Sequence, residues 1–388
     1  MARPLALESE QVRWFRARRT GLVEPLAEPA DAARANVGIQ SQQLAPSLWG
    51  LAQRSVGSPT AAALQQQLFA EPRSLVRTWG QRGTIHLYAL DHWRAVIASK
   101  KVWAVDVRRG VMAPDELVEV ARKQILAGEG EVTRSELMPL VRGKFLQEAK
   151  DYVGTMMDPQ RLGASRLIWQ LTVNGELCFA GKRGQEQAYA LRKEWHPKLC
   201  WPRAAASKAA IALARDYLRS CGPASVQDLA HFFGARVSEA RKWEAALRKT
   251  GELVDVAVEQ EADRALFALA EDEAALRAEV PGGAAAWPVR LLPLWDGLLM
   301  SHADKSWTVP VESERKAIWK KAAMVSAVVL ARGQVVGTWQ AKARAKEVDV
   351  TITPLSGWRK SKHLAGARRA AQAYAEHLGR ASAKLAVD

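Results

Sequence analysis

Two glutamines flank a serine in the run Gly38-Ile39-Gln40-Ser41-Gln42. A glutamine amide cannot take a proton as a general base at neutral pH. It offers an acceptor oxygen and two donor hydrogens, enough to orient a water or a ligand. Such weak equipment suits a reaction whose leaving group departs readily. Side chains at i and i+2 share a face only where the backbone is extended and diverge in a regular helix. Polar glutamines on a helix surface are therefore the plain alternative. Asp296 stands alone in the apolar run RLLPLWDGLLM. A buried carboxylate must find hydrogen-bond partners, either as structural glue or as part of a site. His86, in the strand-like RGTIHLY, reads as a core imidazole or a catalytic one.

Other chemistries lack their templates. The chain holds no GxxxxGK[ST] loop, no strand–GxGxxG–helix unit, no HExxH and no GxSxG elbow. The histidines at 86, 92, 196, 231, 302, 363 and 377 show no metal spacing. Cysteines 178, 200 and 221 form no CxxC pair, so neither a disulfide framework nor a structural zinc site is expected. The expectation is an activity with no metal and no cofactor.

The elements that must position these residues are mostly helical at first. SEQVRWFRARR has helical spacing, and DAARANVGIQSQQLAPSLWGLAQR continues it with breaks at Gly38 and Pro46. TAAALQQQLFA predicts another helix, and SLVRTWGQRGTIHLYAL is expected to pass from helix to strand through Gly80 and Gly83. LDHWRAVIASKKVWAV resumes the helical period. From about 114 to 270 one pattern occurs twice. PDELVEVARKQILAGEGEVTRSELMPLV gives helix, turn and a second helix capped by Thr133 or Ser135, and Asn174-Gly175 predicts a hairpin. The second copy has Ser225 as a cap, SEARKWEAALRKTG as its third helix and ELVDVAVEQEADRALFAL as strand, turn and strand. Helix–helix–helix–hairpin is the winged-helix pattern, used for DNA binding or as an interaction module.

AEVPGGAAAWP reads as a linker. Beyond it VRLLPLW, WTVPVE, MVSAVVLARGQVVGTWQ and KEVDVTITPL have the period of strands, and KHLAGARRAAQAYAEHLGRA that of a helix. The expected fold is α+β: tandem winged-helix motifs with a C-terminal β-rich region, barrel-like or a sheet. The expected boundaries are 1–113 for the region with the glutamine pair, 114–203 and 204–280 for two winged helices, and 287–388 for the β-rich part.

Charge points to the partner. The 388 residues carry 56 Lys+Arg against 41 Asp+Glu, a net +15, and a polyanion is the first partner to test. Residues 341–388 hold 10 of the basic residues and 4 of the acidic ones. The 15 Trp suit packing or base stacking. No signal-like or spanning apolar run appears, so the expectation is a cytoplasmic protein at the bacterial nucleoid with no membrane partner.

GIQSQQLAPSLWGLAQRS, SLVRTWGQRGTIHLYALDHWRAVI, VRLLPLWDGLLMSHADKSW and VVLARGQVVGTW, in that order, resemble the bacterial AlkZ/YcaQ family of DNA glycosylases. The resemblance covers about residues 5 to 360. It implies tandem winged helices and a monofunctional glycosylase that hydrolyses the N-glycosidic bond of cationic N7- or N3-alkylated purines. Unhooking of interstrand crosslinks or bulky adducts of genotoxic natural products is part of the same implication, with roles in DNA repair and self-resistance. Gln40 and Gln42 match the outer positions of the family's Gln–aliphatic–Gln motif and would hold the attacking water; Ser41 departs from the aliphatic middle. By the same resemblance Arg77, Arg82 and His86 would face DNA, with Lys305 and Trp307 as further contacts. Arg332 or Gln334 would sit on a hairpin at the minor groove. The partner would be double-stranded DNA carrying alkylated purines or crosslinks, and the protein a monomer. The alternative is a non-catalytic winged-helix DNA-binding protein such as a transcription regulator, or a basic interaction scaffold.

Overall fold

The computed structural model describes residues 3–100, 112–128, 130–153, 158–259, 264–321 and 323–388. The end of the helix expected in LDHWRAVIASKKVWAV lies outside the described residues. Among the described residues the chain mixes helices with four sheets, three of three strands and one of five.

One arrangement of helices on a short sheet occurs three times. The first has helices Pro29–Ala35, Leu44–Ala52 and Ala61–Phe69, the last capped by the Thr60 hydroxyl, which accepts the Ala63 N–H at 3.2 Å. Strands Ile39–Gln40, Ile85–Ala89 and Leu75–Trp79 lie side by side in that order, all antiparallel. Leu75–Trp79, expected as helix, is strand, because its apolar residues are buried against different neighbours on the sheet's two faces. The second unit has helices Asp115–Ala127, Arg134–Leu137, Gly143–Val153 and Pro159–Val173, and strands Glu131–Thr133, Leu177–Arg183 and Glu186–Leu191. Thr133 is the cap, in a reciprocal box with Glu136. Asn174-Gly175 does not make the hairpin. It ends the helix Pro159–Val173, with Gly175 left-handed at φ +77 just past the cap, a common helix terminator. The turn follows Arg183 instead.

The third unit has helices Ala206–Cys221, Val226–Phe233 and Val237–Lys249, with Ser225 boxed against Asp228 as its cap. Its strands are Leu253–Val258 and Leu266–Leu269. The N-terminal strand Leu5–Leu7 completes this sheet, running parallel to Leu253–Val258. The first residues therefore belong structurally with residues 206–269.

The C-terminal region is an open sheet of Arg290–Leu292, Val328–Ala331, Gln334–Ala343, Glu347–Pro354 and Ser382–Val387 in that order. The last pair is parallel and is linked by the helix Lys360–His377. WTVPVE forms no strand: Pro310 lacks an N–H, and Val309 enters the core from a turn.

The first unit's sheet lies between two cores. Ile39, Leu75 and Leu87 pack with Leu48 and Trp49 of the same unit and with Val350 and Ile352 of the C-terminal sheet. Val37, Val76 and Tyr88 pack with Tyr217, Phe232, Phe233 and Trp243 of the third unit. Gln40 faces the third unit. Among the described residues no helix is long and apolar enough to cross a membrane.

Candidate functional site

Gln40 pairs with His86, and His86 with Thr78, so the three side chains form a row on one face of the sheet. The backbone at Gln40 is extended rather than helical. Gln40 is 7% exposed, whereas Gln42 is exposed just beyond the strand. The Gln40 Oε1 accepts a hydrogen bond from Arg82 Nη2 at 2.9 Å, and the Gln42 Oε1 accepts one from the Ile85 N–H at 2.6 Å. Both partners are donors only, so the orientation of both amides is fixed by chemistry. Each oxygen is anchored and keeps a second lone pair, and each NH2 points away from its anchor.

Ser41 projects to the opposite face and is buried. Its N–H bonds the Ile85 carbonyl at 2.6 Å, and its hydroxyl lies 2.9 Å from the Ser47 hydroxyl. Arg77 donates through Nε to the Ser41 hydroxyl at 3.1 Å and through Nη2 to the Ser41 carbonyl at 2.9 Å. Its Nη1 reaches Gln187 of the second unit at 2.9 Å. Burial pulls the guanidinium down to about 10. Expected to face DNA, Arg77 instead spends its donors inside the protein.

Arg82 is half-buried. Its Nη1 donates to the Phe232 carbonyl at 2.5 Å, and the guanidinium stands 5.5 Å from the Phe232 ring. Next to it Lys305 Nζ lies 3.3 Å from His231 Nε2 and donates to the carbonyls of His302 and Leu299 at 2.6 and 3.2 Å. Burial and the Arg82 charge pull the Lys305 ammonium down to about 8, against Asp228 and Asp304. Burial, then Lys305 and Arg82, hold His231 at about 4, so it is neutral at neutral pH. His86 is buried, stacks on Tyr88 and approaches the Thr84 carbonyl at 3.1 Å. Burial, with the Arg82 charge behind it, holds it well below the usual imidazole range. A neutral imidazole brings no positive charge to a phosphate, only one N–H donor.

Gln40, Gln42, Arg82, His86 and Lys305 thus converge; the remaining sequence candidates do not. Trp307 is buried under the Arg16 guanidinium, which stands 4.4 Å from its ring, in a core with Leu5, Val12 and Phe15. Asp296 is glue. It caps the turn Gly297–Met300 and pairs with Arg54 at 2.7 Å, both side chains being buried. Arg332 sits in the Arg332-Gly333 turn as expected, but that turn packs on the N-terminal helix. Its Nε meets Glu10 at 2.8 Å and its guanidinium lies 4.9 Å from the Trp287 ring. Gln334 is half-buried beside it. The exposed basic turn is the next one, Lys342, Arg344 and Lys346. Their alternation with alanines in AKARAK was the available signal. His231 and the Phe232 carbonyl had no local signal, since only the fold brings them to Arg82.

A scaffold of three helix-on-sheet units with a glutamine pair at the edge of its first sheet has a match over most of its length. Residues 33–381 match the family described as DNA glycosylase AlkZ-like, and the chain belongs to that family. The interstrand DNA cross-link repair glycosylase of Streptomyces sahachiroi is 26% identical over 345 residues, which cover 86% of each chain. The solved structure of Streptomyces sahachiroi DNA glycosylase AlkZ has a TM-score of 0.77 at 22% identity, covering 98% of this chain and 99% of that one. The fold is shared from end to end.

Proposed function

We propose that this protein is a monofunctional DNA glycosylase that releases cationic N7- or N3-alkylated purines from double-stranded DNA by hydrolysis. The observation that carries this reading is the pair Gln40 and Gln42, two amides with anchored oxygens, the first buried and the second exposed, in a chain of the AlkZ-like family. The resemblance supplies the chemistry. Alkylation puts a positive charge on the purine, and the bond to C1′ breaks with both electrons passing to the base, which leaves neutral. Water adds to the sugar cation at C1′, and its proton goes to solvent. Gln40 and Gln42 need only hold that water through their remaining lone pairs. An amide dipole stabilises a sugar cation less than a carboxylate would, which confines the enzyme to bases that already carry charge.

The three helix-on-sheet units are read as winged helices within 1–113, 114–203 and 204–280, with 287–388 as a sheet-bearing region. Lys305 directs its hydrogen bonds to neutral groups, which leaves its charge to attract phosphate. The exposed turn of Lys342, Arg344 and Lys346 replaces Arg332 and Gln334 as the C-terminal DNA contact. Because Gln42 is exposed, a bulky adduct or interstrand crosslink need not enter a snug flipped-base pocket. Crosslink unhooking fits the same surface, and the Streptomyces sahachiroi relative is named an interstrand DNA cross-link repair glycosylase. The protein would act as a monomer, in repair or in self-resistance to a genotoxic metabolite.

The test is incubation with duplexes holding one N7-methylguanine or one alkylpurine crosslink, followed by alkaline cleavage of abasic sites and identification of the free base. Release of the alkylated base, with unmodified DNA intact, is the expected result. Salt-dependent binding with no base released from either duplex would leave a non-catalytic DNA-binding protein.

A further inference from the structure

We propose that Arg82 is a positioning residue for base release, acting through Gln40 rather than by gripping a phosphate. The inference rests on the reading that Gln40 serves the reaction. Gln40 has three side-chain torsions, and an unanchored amide would rotate between donor-out and acceptor-out states. The guanidinium removes that freedom, because it carries donors only and therefore selects the oxygen. A bond at 2.9 Å to an ionised donor also belongs to the stronger kind of hydrogen bond.

The anchor is itself held from another part of the chain. Arg82 lies in the loop Gly80–Thr84 at φ +56, in the left-handed region, with the Gly80 N–H on the Thr84 carbonyl at 2.8 Å. Its second arm is tied to the Phe232 carbonyl at 2.5 Å. The backbone of the loop rests on Gly234, where an added Cβ would stand 2.9 Å from the Arg82 Cα and 3.1 Å from its nitrogen. Gly234 is also left-handed, at φ +64. The close approach and the backbone conformation both require glycine there. Gln40, in the first unit, is thus oriented through Arg82 by the turn Phe232–Gly234 of the third unit. Neither unit alone would hold the amide in place.

The experiment is single-turnover base release from N7-methylguanine duplex across enzyme and salt concentrations. It compares the wild type with Arg82→Ala, Arg82→Lys, Gly234→Ala, Gln40→Ala and the double variant Arg82→Ala/Gln40→Ala, each first shown to melt cooperatively. Arg82→Ala is expected to slow the chemical step roughly 10- to 100-fold, as for loss of one charged hydrogen bond. The half-saturating enzyme concentration and the salt slope should stay at wild-type values. Arg82→Lys, which still donates to the Gln40 oxygen, should recover part of the rate. Gly234→Ala should slow the step without weakening DNA binding, and the double variant should be no slower than Gln40→Ala. An Arg82→Ala enzyme with the wild-type rate at saturation would overturn the proposal. So would one whose half-saturation rises and whose salt slope flattens while its saturated rate is kept, which would make Arg82 a phosphate contact. Should Gln40→Ala keep full activity, the glycosylase-site reading falls first and this proposal with it. A slow Gln40→Ala beside a fast Arg82→Ala removes the proposal alone. Should Arg82→Ala fail to fold, Arg82→Lys and Gly234→Ala decide: wild-type rates in both overturn it.

Discussion

Arg77 holds Ser41 at two points, through Nε to the hydroxyl at 3.1 Å and through Nη2 to the carbonyl at 2.9 Å. Ser41 lies on the face of the sheet away from Gln40, and its hydroxyl is engaged by Ser47 and Arg77. An aliphatic residue at this position would be anchored by packing. Serine is anchored by Arg77 and Ser47 instead.

Ser41→Ala should therefore cost stability rather than chemistry. The substitution leaves the Arg77 Nε and the Ser47 hydroxyl without this partner in a buried setting, a loss of about 1–3 kcal/mol. Urea melts should show the loss, while the saturated rate of base release in the folded protein stays within roughly a factor of three, below the cost of one net hydrogen bond. A large drop in rate without a loss of stability would show that position 41 touches the reacting groups.

Asp296→Ala should be among the most damaging single changes that leave the site untouched. It strands the Arg54 guanidinium, whose side chain is fully buried, and removes the acceptor for the Leu298 N–H at 3.0 Å. Breaking a buried ion pair from one side typically costs about 3–5 kcal/mol. The check is the midpoint and slope of a denaturant transition, with base release measured on the surviving folded fraction. A stable variant with lost activity would return Asp296 to the site.

Much of the third unit was legible in sequence because its signals are local: Ser225 with Asp228 in a capping box, an apolar helical period and Trp243 in the core. The glutamine pair was legible as a motif but not as geometry. Its extended backbone comes from pairing with Ile85 and His86, far along the chain. Asn174-Gly175 misled because one dipeptide serves both hairpin turns and helix ends, and burial of Leu167, Ile168 and Leu171 decided for the helix. The buried fates of Arg77, Trp307 and Asp296 depend on contacts far apart in sequence. Residue type alone suggested surface or site.

DNA attachment should reside in the exposed turn and not in the Arg332 turn. Lys342→Ala with Lys346→Ala should weaken binding to all duplexes alike. The log–log salt slope should become shallower by up to about 0.9 for each phosphate that the variant no longer neutralises. Arg332→Ala removes the Glu10 pair and the packing on Trp287, so it should lower stability and leave the slope alone. Fluorescence anisotropy titrations from low to physiological salt separate the two.

Acid should destabilise the fold through His86. Its folded-state pKa lies well below 6.5 because burial opposes the charge, so below about pH 6.5 the unfolded chain binds a proton that the folded one does not. Stability present at pH 7 is then lost as pH falls, by up to about 2 kcal/mol at pH 5. His86→Asn should reduce this decline without abolishing it, because buried His302 is held low in the same way. An unchanged difference between melts at pH 7 and pH 5 in His86→Asn would contradict the assignment.

The most direct measurement is the single-turnover rate of base release from N7-methylguanine duplex by wild type, Gln40→Ala and Gln42→Ala at saturating enzyme. The wild type should release the base well above the rate of spontaneous depurination. Each substitution should lower the rate roughly 10- to 1,000-fold, the range for removing a positioning or charge-stabilising group, with DNA binding intact. Wild-type rates in both variants, or no release by the wild type from methylated or crosslinked DNA, would contradict a glutamine-dependent glycosylase.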